Sequence, residues 1–149
     1  MRLRVVLDTQ VWLDWLHFRD PRCEDLARRF DRGELALPSS APCRDEWQRV
    51  LGYPALNLGP AERERLASAY DQRCSPCAEP DTEAPLPRLP RCRDPDDQKF
   101  IELAVRAGAK LLLSRDRALL DLHRRLHREF GIAVAPPQPL ERLLHSEAR

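Results

Sequence analysis

The chain has 149 residues, 42% of them apolar and 33% charged, a balance that suits one globular core and excludes a wholly disordered polymer. Its 25 basic and 24 acidic side chains leave a net charge of +1, so total charge implies no general attraction to nucleic acid or to anionic lipid. The apolar runs are too short to span a bilayer, so no membrane association is expected, and Met1-Arg2-Leu3-Arg4 leads into no secretory apolar region. A cytoplasmic protein is expected.

Leu3 to Leu7 is a Val/Leu run that reads as a buried parallel strand, apolar on both faces. It ends at Asp8-Thr9, where Val11, Trp12, Trp15 and Leu16 begin to recur at helical spacing, and Asp20-Pro21 breaks that helix. A second helix carries Leu26, Ala27 and Phe30 and stops at Gly33. Glu34 to Leu37 reads as a second strand and Pro38-Ser39-Ser40 as a turn capping a helix with Glu46, Trp47, Val50 and Leu51. Pro60 opens a further helix with Leu66, Ala69 and Tyr70 on its apolar face. Residues 74 to 95 hold six of the 14 prolines and read as a loop, with mobility expected over 74 to 90.

Asp97 to Ala107 has the clearest helical stripe, Phe100, Ile101, Ala104 and Val105, closed by Gly108. Lys110 to Leu113 is a third strong strand, ending at Ser114-Arg115-Asp116. Leu119, Leu120, Leu122 and Leu126 then continue helically, Gly131 to Ala135 is a final strand, and Pro139 to His145 a final helix. Strands alternating with helices predict a parallel sheet covered on both faces.

The five cysteines form no disulfide framework, being odd in number and without a secretory context. Cys74-Ser-Pro-Cys77 lacks the second ligand pair that a structural zinc site needs, so both are expected to be free thiols. His123 and His127 stand at i, i+4 but without the Glu of an H-E-x-x-H motif. Of the basic residues, all but Lys99 and Lys110 are arginine, a side chain that grips phosphate bidentately but is also what a GC-rich coding bias produces. Trp12, Trp15, Leu16 and Phe18 crowd one early helix. The first three share a face that fits the core, while Phe18 falls off it; either aromatic surface is left for a homodimer or antitoxin contact, or all four fill the core.

The chemistry is concentrated after the strands. In an open parallel sheet, ligands bind outside the carboxyl ends of the strands, where strand order reverses. Asp8 and Asp116 follow two strong strands; Asp97 opens the helix after Cys92-Arg93-Asp94-Pro95-Asp96, and Glu46 lies in the early turns of its own helix. Taken singly, each has a structural reading: Asp8 and Asp116 as N-caps, Asp94, Asp96 and Asp97 on a helix dipole, Glu46 as a surface acid. Capping does not account for all four together. No Walker motif, G-x-G-x-x-G or nucleophile triad competes.

In order, Val5-Val6-Leu7-Asp8-Thr9-Gln10-Val11, Asp45-Glu46-Trp47-Gln48-Arg49-Val50-Leu51, Arg93 to Ala104 and Ala109 to Asp116 resemble the four motifs of PIN-domain nucleases. Within that family they resemble the toxin components of bacterial toxin–antitoxin pairs. The resemblance implies one PIN-like domain over 1–149, a three-layer α/β/α sandwich with a parallel sheet of four or five strands. It also implies an endoribonuclease dependent on Mg²⁺ or Mn²⁺, cutting single-stranded or looped RNA, with a homodimer and a cognate antitoxin as partners. Asp8, Asp97 and Asp116 are the implied metal ligands, with Glu46 completing the site. Asp97 is preferred to Asp96 because Phe100 and Ala104 then fall at +3 and +7, as the family's register has them.

Asp94 and Asp96 are candidate assistants, Thr9 and Ser114 candidate orienting hydroxyls, and Arg44, Arg93 and Arg115 candidate phosphate contacts, each arginine also reading as solvated surface. Gln10 replaces the family's usual Asn, Arg115 its Gly, and Ala118 a frequent second acid. The alternative is a catalytically silent PIN-like module that binds protein. Four clustered carboxylates need a compensating charge, and a hard divalent cation with oxygen ligands supplies it.

Overall fold

The computed structural model describes residues 2–76 and 86–147. Among these, five strands form one parallel sheet: β1 (Leu3–Leu7), β2 (Leu35–Ser39), β3 (Cys74–Pro76), β4 (Leu111–Leu113) and β5 (Ala133–Ala135), in the order β3-β2-β1-β4-β5. The chain builds outward from β1 to β3, then returns to place β4 on the other side of β1. The order therefore reverses between β1 and β4, whose register pairs Leu7 with Leu113. A crevice opens there at the carboxyl ends of the two strands.

The helices are α1 (Thr9–Leu16), α2 (Glu24–Asp31), α3 (Ala41–Leu51), α4 (Pro60–Arg73), α5 (Gln98–Ala107), α6 (Arg117–Leu120), α7 (His123–Phe130) and α8 (Leu140–Glu147). The period-2 alternation of the strands divides the core in two. Val5, Leu7, Leu111, Leu113 and Ala133 face one cluster, with Trp12 of α1, Leu26 of α2, Trp47 of α3, Leu66 and Tyr70 of α4 and Leu140 of α8. Val6, Leu112 and Val134 face the other, with Phe100, Ile101 and Ala104 of α5, Leu119 of α6 and Leu126 of α7. These are the two outer layers of an α/β/α sandwich. Among the described residues no helix is long and apolar enough to cross a membrane.

Three expectations are corrected. Pro38-Ser39 is not a turn: both residues continue β2 and pair with Ser75 and Pro76 of β3, while Ser40 precedes α3 without a side-chain cap bond. β3 itself lies in the stretch read as loop. Three residues ending in proline carry no periodicity, and the strand exists because β2 offers an unpaired edge. The helix expected from Asp97 begins at Gln98, after a 3-10 turn at Pro95–Asp97 whose first amide bonds are capped by Asp94. Gly108 and Gly131 end α5 and α7 with left-handed φ of 63° and 68°, the conformation for which a side chain is penalised. Residues 77–85 of the expected mobile loop, with Cys77, lie outside the described residues.

Trp12 and Leu16 are buried, and Trp15 stacks on Trp12 at 5.5 Å between ring centroids with Arg73 over its ring. The three residues pack in or against the core, and Phe18, which lies beyond the end of α1, stays 55% exposed. Cys23, Cys43, Cys74 and Cys92 are free thiols. Burial pushes the thiols of Cys23 and Cys74 up to about 12 and that of Cys43 to about 11, which leaves them unreactive near neutral pH. His123 uses its ring as an acceptor: the backbone N–H of Val134 donates to Nδ1 at 2.9 Å, tying α7 to β5.

Candidate functional site

Asp8, Glu46, Asp97 and Asp116 line one cavity of about 540 Å³, together with Thr9, Gln10 and Arg115. Four separate elements deliver these acids to one place. Asp8 leaves β1 and caps α1, with Oδ1 accepting from the Val11 N–H at 2.9 Å. Asp116 leaves the β4 end and caps α6, accepting from the Ala118 N–H at 2.8 Å. Capping and a place on the cavity wall therefore coincide: one carboxylate oxygen is spent on a helix terminus, and that bond fixes where the group points. Ser114, wholly buried, links the two strand ends. Its hydroxyl donates to Asp8 Oδ2 and accepts from the Asp116 N–H at 2.9 Å.

Oxygens of Asp94, Asp97 and Asp116 lie within 4.8 Å of one another, a spacing at which three carboxylates can share a cation. Asp97 Oδ2 is buried and has no hydrogen-bond partner among the described residues. An orphaned buried carboxylate oxygen costs free energy unless something positive meets it. Desolvation, then the neighbouring Asp116, Asp94 and Asp8, pushes Asp97 up to about 7. Desolvation likewise lifts Asp8 to about 6, against the lowering effect of its bonds from Ser114 and Val11. Such strain among acids in a cleft marks a place built to receive positive charge. The donor set, carboxylate oxygens alone, suits a hard divalent ion.

Glu46 stands differently. Lys99 Nζ donates to its Oε1 at 2.6 Å and the Thr9 hydroxyl to its Oε2. Its charge is thus met by the Lys99 ammonium, and the Thr9 hydroxyl occupies its other oxygen. Asp96 is exposed, its N–H donating to Asp94 at 3.0 Å, and does not join the cluster. Of the three candidate arginines, Arg115 alone is part of the cavity lining. Arg44 is paired bidentately with Asp71 at 2.8 and 2.9 Å, and Arg93 with Asp121 at 2.9 Å.

Two residues escaped the sequence reading. Asp14, buried on α1, holds the Arg115 guanidinium at 2.7 and 2.9 Å and also accepts from Gln10 Nε2 at 3.0 Å. Gln10 and Arg115, both departures from the family pattern, therefore meet on one carboxylate. Lys99 is the other. Its place after Gln98 gave no sign that it turns back to Glu46, because that pairing spans 53 positions of chain.

The raised acids predict a pH response of the metal-free protein. A carboxyl with a higher pKa in the folded state keeps its proton there while the unfolded chain loses it. The stability this contributes is complete below about 4 and is lost as pH rises through 6 for Asp8 and 7 for Asp97. Tm in EDTA should therefore fall between pH 4.5 and 7.5. Mg²⁺ should reverse the fall, a hundredfold excess over Kd contributing about 2.7 kcal/mol, roughly 5–10 °C for a chain of this size. Thermal unfolding followed by circular dichroism checks both, and a metal-free Tm that rises steadily across the window contradicts the assignment.

No curated protein and no solved structure matches the chain. The family model described as PIN domain matches residues 4–118, a span that begins in β1, ends in α6 and contains all four cavity acids. With its central parallel sheet, its reversal point between β1 and β4 and its acids gathered there, the chain belongs to the PIN domain family, a family of nuclease fold.

Proposed function

We propose that the protein is a metal-dependent endoribonuclease that hydrolyses phosphodiester bonds of single-stranded RNA to a 5′-phosphate and a 3′-hydroxyl. The carrying observation is the meeting of Asp8, Asp97 and Asp116 at the β1–β4 reversal with a buried carboxylate oxygen left unpartnered. Asp97 and Asp116, assisted by Asp94, would hold the ion directly, and Asp8 would do so directly or through water. When bound, Mg²⁺ or Mn²⁺ supplies a water of lowered pKa and charge for the leaving oxygen.

The chain's own groups do the rest. Ser114 holds Asp8 and Asp116 in a fixed relation, so little reorganisation remains when substrate arrives. Glu46, held by Lys99 and Thr9, would accept a proton or orient a water at the cavity wall. Arg115, anchored by one edge on Asp14, keeps Nη1 for a substrate phosphate. Single-stranded RNA fits because an open crevice admits unstacked backbone.

The resemblance to toxins of toxin–antitoxin pairs carries the proposal further. The protein would act in the cytoplasm as a homodimer, restrained by a cognate antitoxin that lays an arginine among the carboxylates in place of the metal. Exposed Phe18 is the aromatic surface available for such a contact. A second reading, a silent protein-binding module, draws on the engagement of Glu46 by Lys99 and Thr9.

The deciding experiment incubates purified protein with unstructured RNA in Mg²⁺, in Mn²⁺ and in EDTA, and identifies the product ends. Cleavage in metal alone, leaving 5′-phosphates, is expected. Intact RNA in every condition favours the silent module.

A further inference from the structure

The cavity that holds the acids also has an apolar wall, made by Val50, Tyr53, Ala55, Leu56 and Phe100. Val50 and Leu56 pack on the core behind them, and Phe100 is buried. Tyr53 is 47% exposed, one of two large apolar side chains left in solvent among the described residues. Among the described residues no other aromatic ring meets it there.

Its backbone, by contrast, is pinned. The Tyr53 N–H donates to Val50 O at 2.9 Å, its carbonyl accepts from the Leu56 N–H at 3.1 Å, and Pro54 opens a 3-10 turn that ends at Asn57 with φ 49°. A bare aromatic face on a fixed backbone loses little entropy on binding a flat ligand.

We propose that Tyr53 and this wall form a nucleobase subsite. The tyrosine ring stacks on the base of a nucleotide whose phosphate lies at the Asp8–Asp97–Asp116 end of the same cavity. The cavity volume of about 540 Å³ lies within the range of about 300–1,000 Å³ of small-ligand sites. Its two linings match the two halves of a nucleotide: carboxylates that take a phosphate through a cation, and an apolar surface that takes a flat heterocycle. A base inside a duplex has both faces covered, so the subsite selects single-stranded nucleic acid, and stacking tolerates any base. The inference rests on the nuclease reading for the phosphate end, while the base end stands on Tyr53.

Ring-proton NMR tests it. The chain has two tyrosines, and Tyr70, buried and bonded to Ser39, is the internal control. With Mg²⁺ present, AMP or UMP should shift the Tyr53 ring resonances and leave those of Tyr70. Ribose 5-phosphate, which has the sugar and phosphate without the base, should bind roughly tenfold more weakly and move neither.

By calorimetry, Tyr53→Phe should keep the affinity for AMP and Tyr53→Ala should lose roughly tenfold. Equal affinity for AMP and ribose 5-phosphate, or unchanged AMP binding in Tyr53→Ala, overturns the subsite. RNA cleavage is read separately. Base-dependent shifts at Tyr53 with no cleavage in Mg²⁺ or Mn²⁺ keep the subsite and remove the nuclease reading. Cleavage with no response at Tyr53 does the reverse.

Discussion

Asp97→Asn should abolish cleavage of RNA while making the metal-free protein more stable at pH 8. Both effects have one origin. The Asp97 carboxyl is lifted to about 7 by burial and by Asp116, so at pH 8 its ionised form is held in place against desolvation and repulsion. Asparagine keeps the shape and removes the charge. After allowance for solvent screening the gain is roughly 1 kcal/mol, a few degrees in Tm. The loss is larger. Removing an outer-shell partner of a metal site costs roughly 10–100-fold in affinity or activity, and a direct ligand should cost more. Thermal unfolding at pH 5 and pH 8, with and without Mg²⁺, separates the two: the variant should show little metal response at either pH. A metal-induced shift equal to that of the unsubstituted protein removes Asp97 from the site. Stability given up where function needs it is the expected signature of such a cluster.

Trp47→Ala should be among the most destabilising single substitutions. Trp47 is 1% exposed, stacks on Tyr70 at 5.4 Å and lies 6.5 Å from Trp12. Its Nε1 donates to Leu66 O at 3.2 Å, joining α3 to α4. Truncation leaves a cavity and removes the bond from Nε1 to α4, about 3–5 kcal/mol, or roughly 10 °C or more in Tm. Urea unfolding should show a lowered midpoint with little change in m. Glu46 precedes Trp47 on α3, so its pairing with Lys99 and Thr9 depends on this anchor. A midpoint within experimental scatter of the parent would mean that α3 is held chiefly by other contacts.

The strands β1, β2, β4 and β5 were legible because each is a short apolar run bounded by a polar or turn residue, and Val5–Leu7 and Leu111–Leu113 are buried on both faces. The α5 stripe was legible for the same reason at the other period, and Gly108 marked its end through the left-handed φ that it adopts. β3 was not. Three residues cannot carry a period, and they become a strand only because Leu37–Ser39 offers hydrogen-bonding partners. Pro38-Ser39 reads as a turn by composition, and tertiary pairing overrides it.

The acids themselves, Asp8, Glu46, Asp97 and Asp116, could be named from their places in the four motifs, since local sequence decides which carboxyl ends a strand or opens a helix. Their company could not. Ser114 bonds to Asp8 across 106 positions of chain and Arg115 to Asp14 across 101. The bare face of Tyr53 beside the acids is of the same kind. Which side chains share a cavity, which carboxylate is already balanced by Lys99 and which oxygen is left orphaned depend on strand order and on the angle at which each helix docks. Those are set by packing between segments far apart in the chain, about which local propensity is silent.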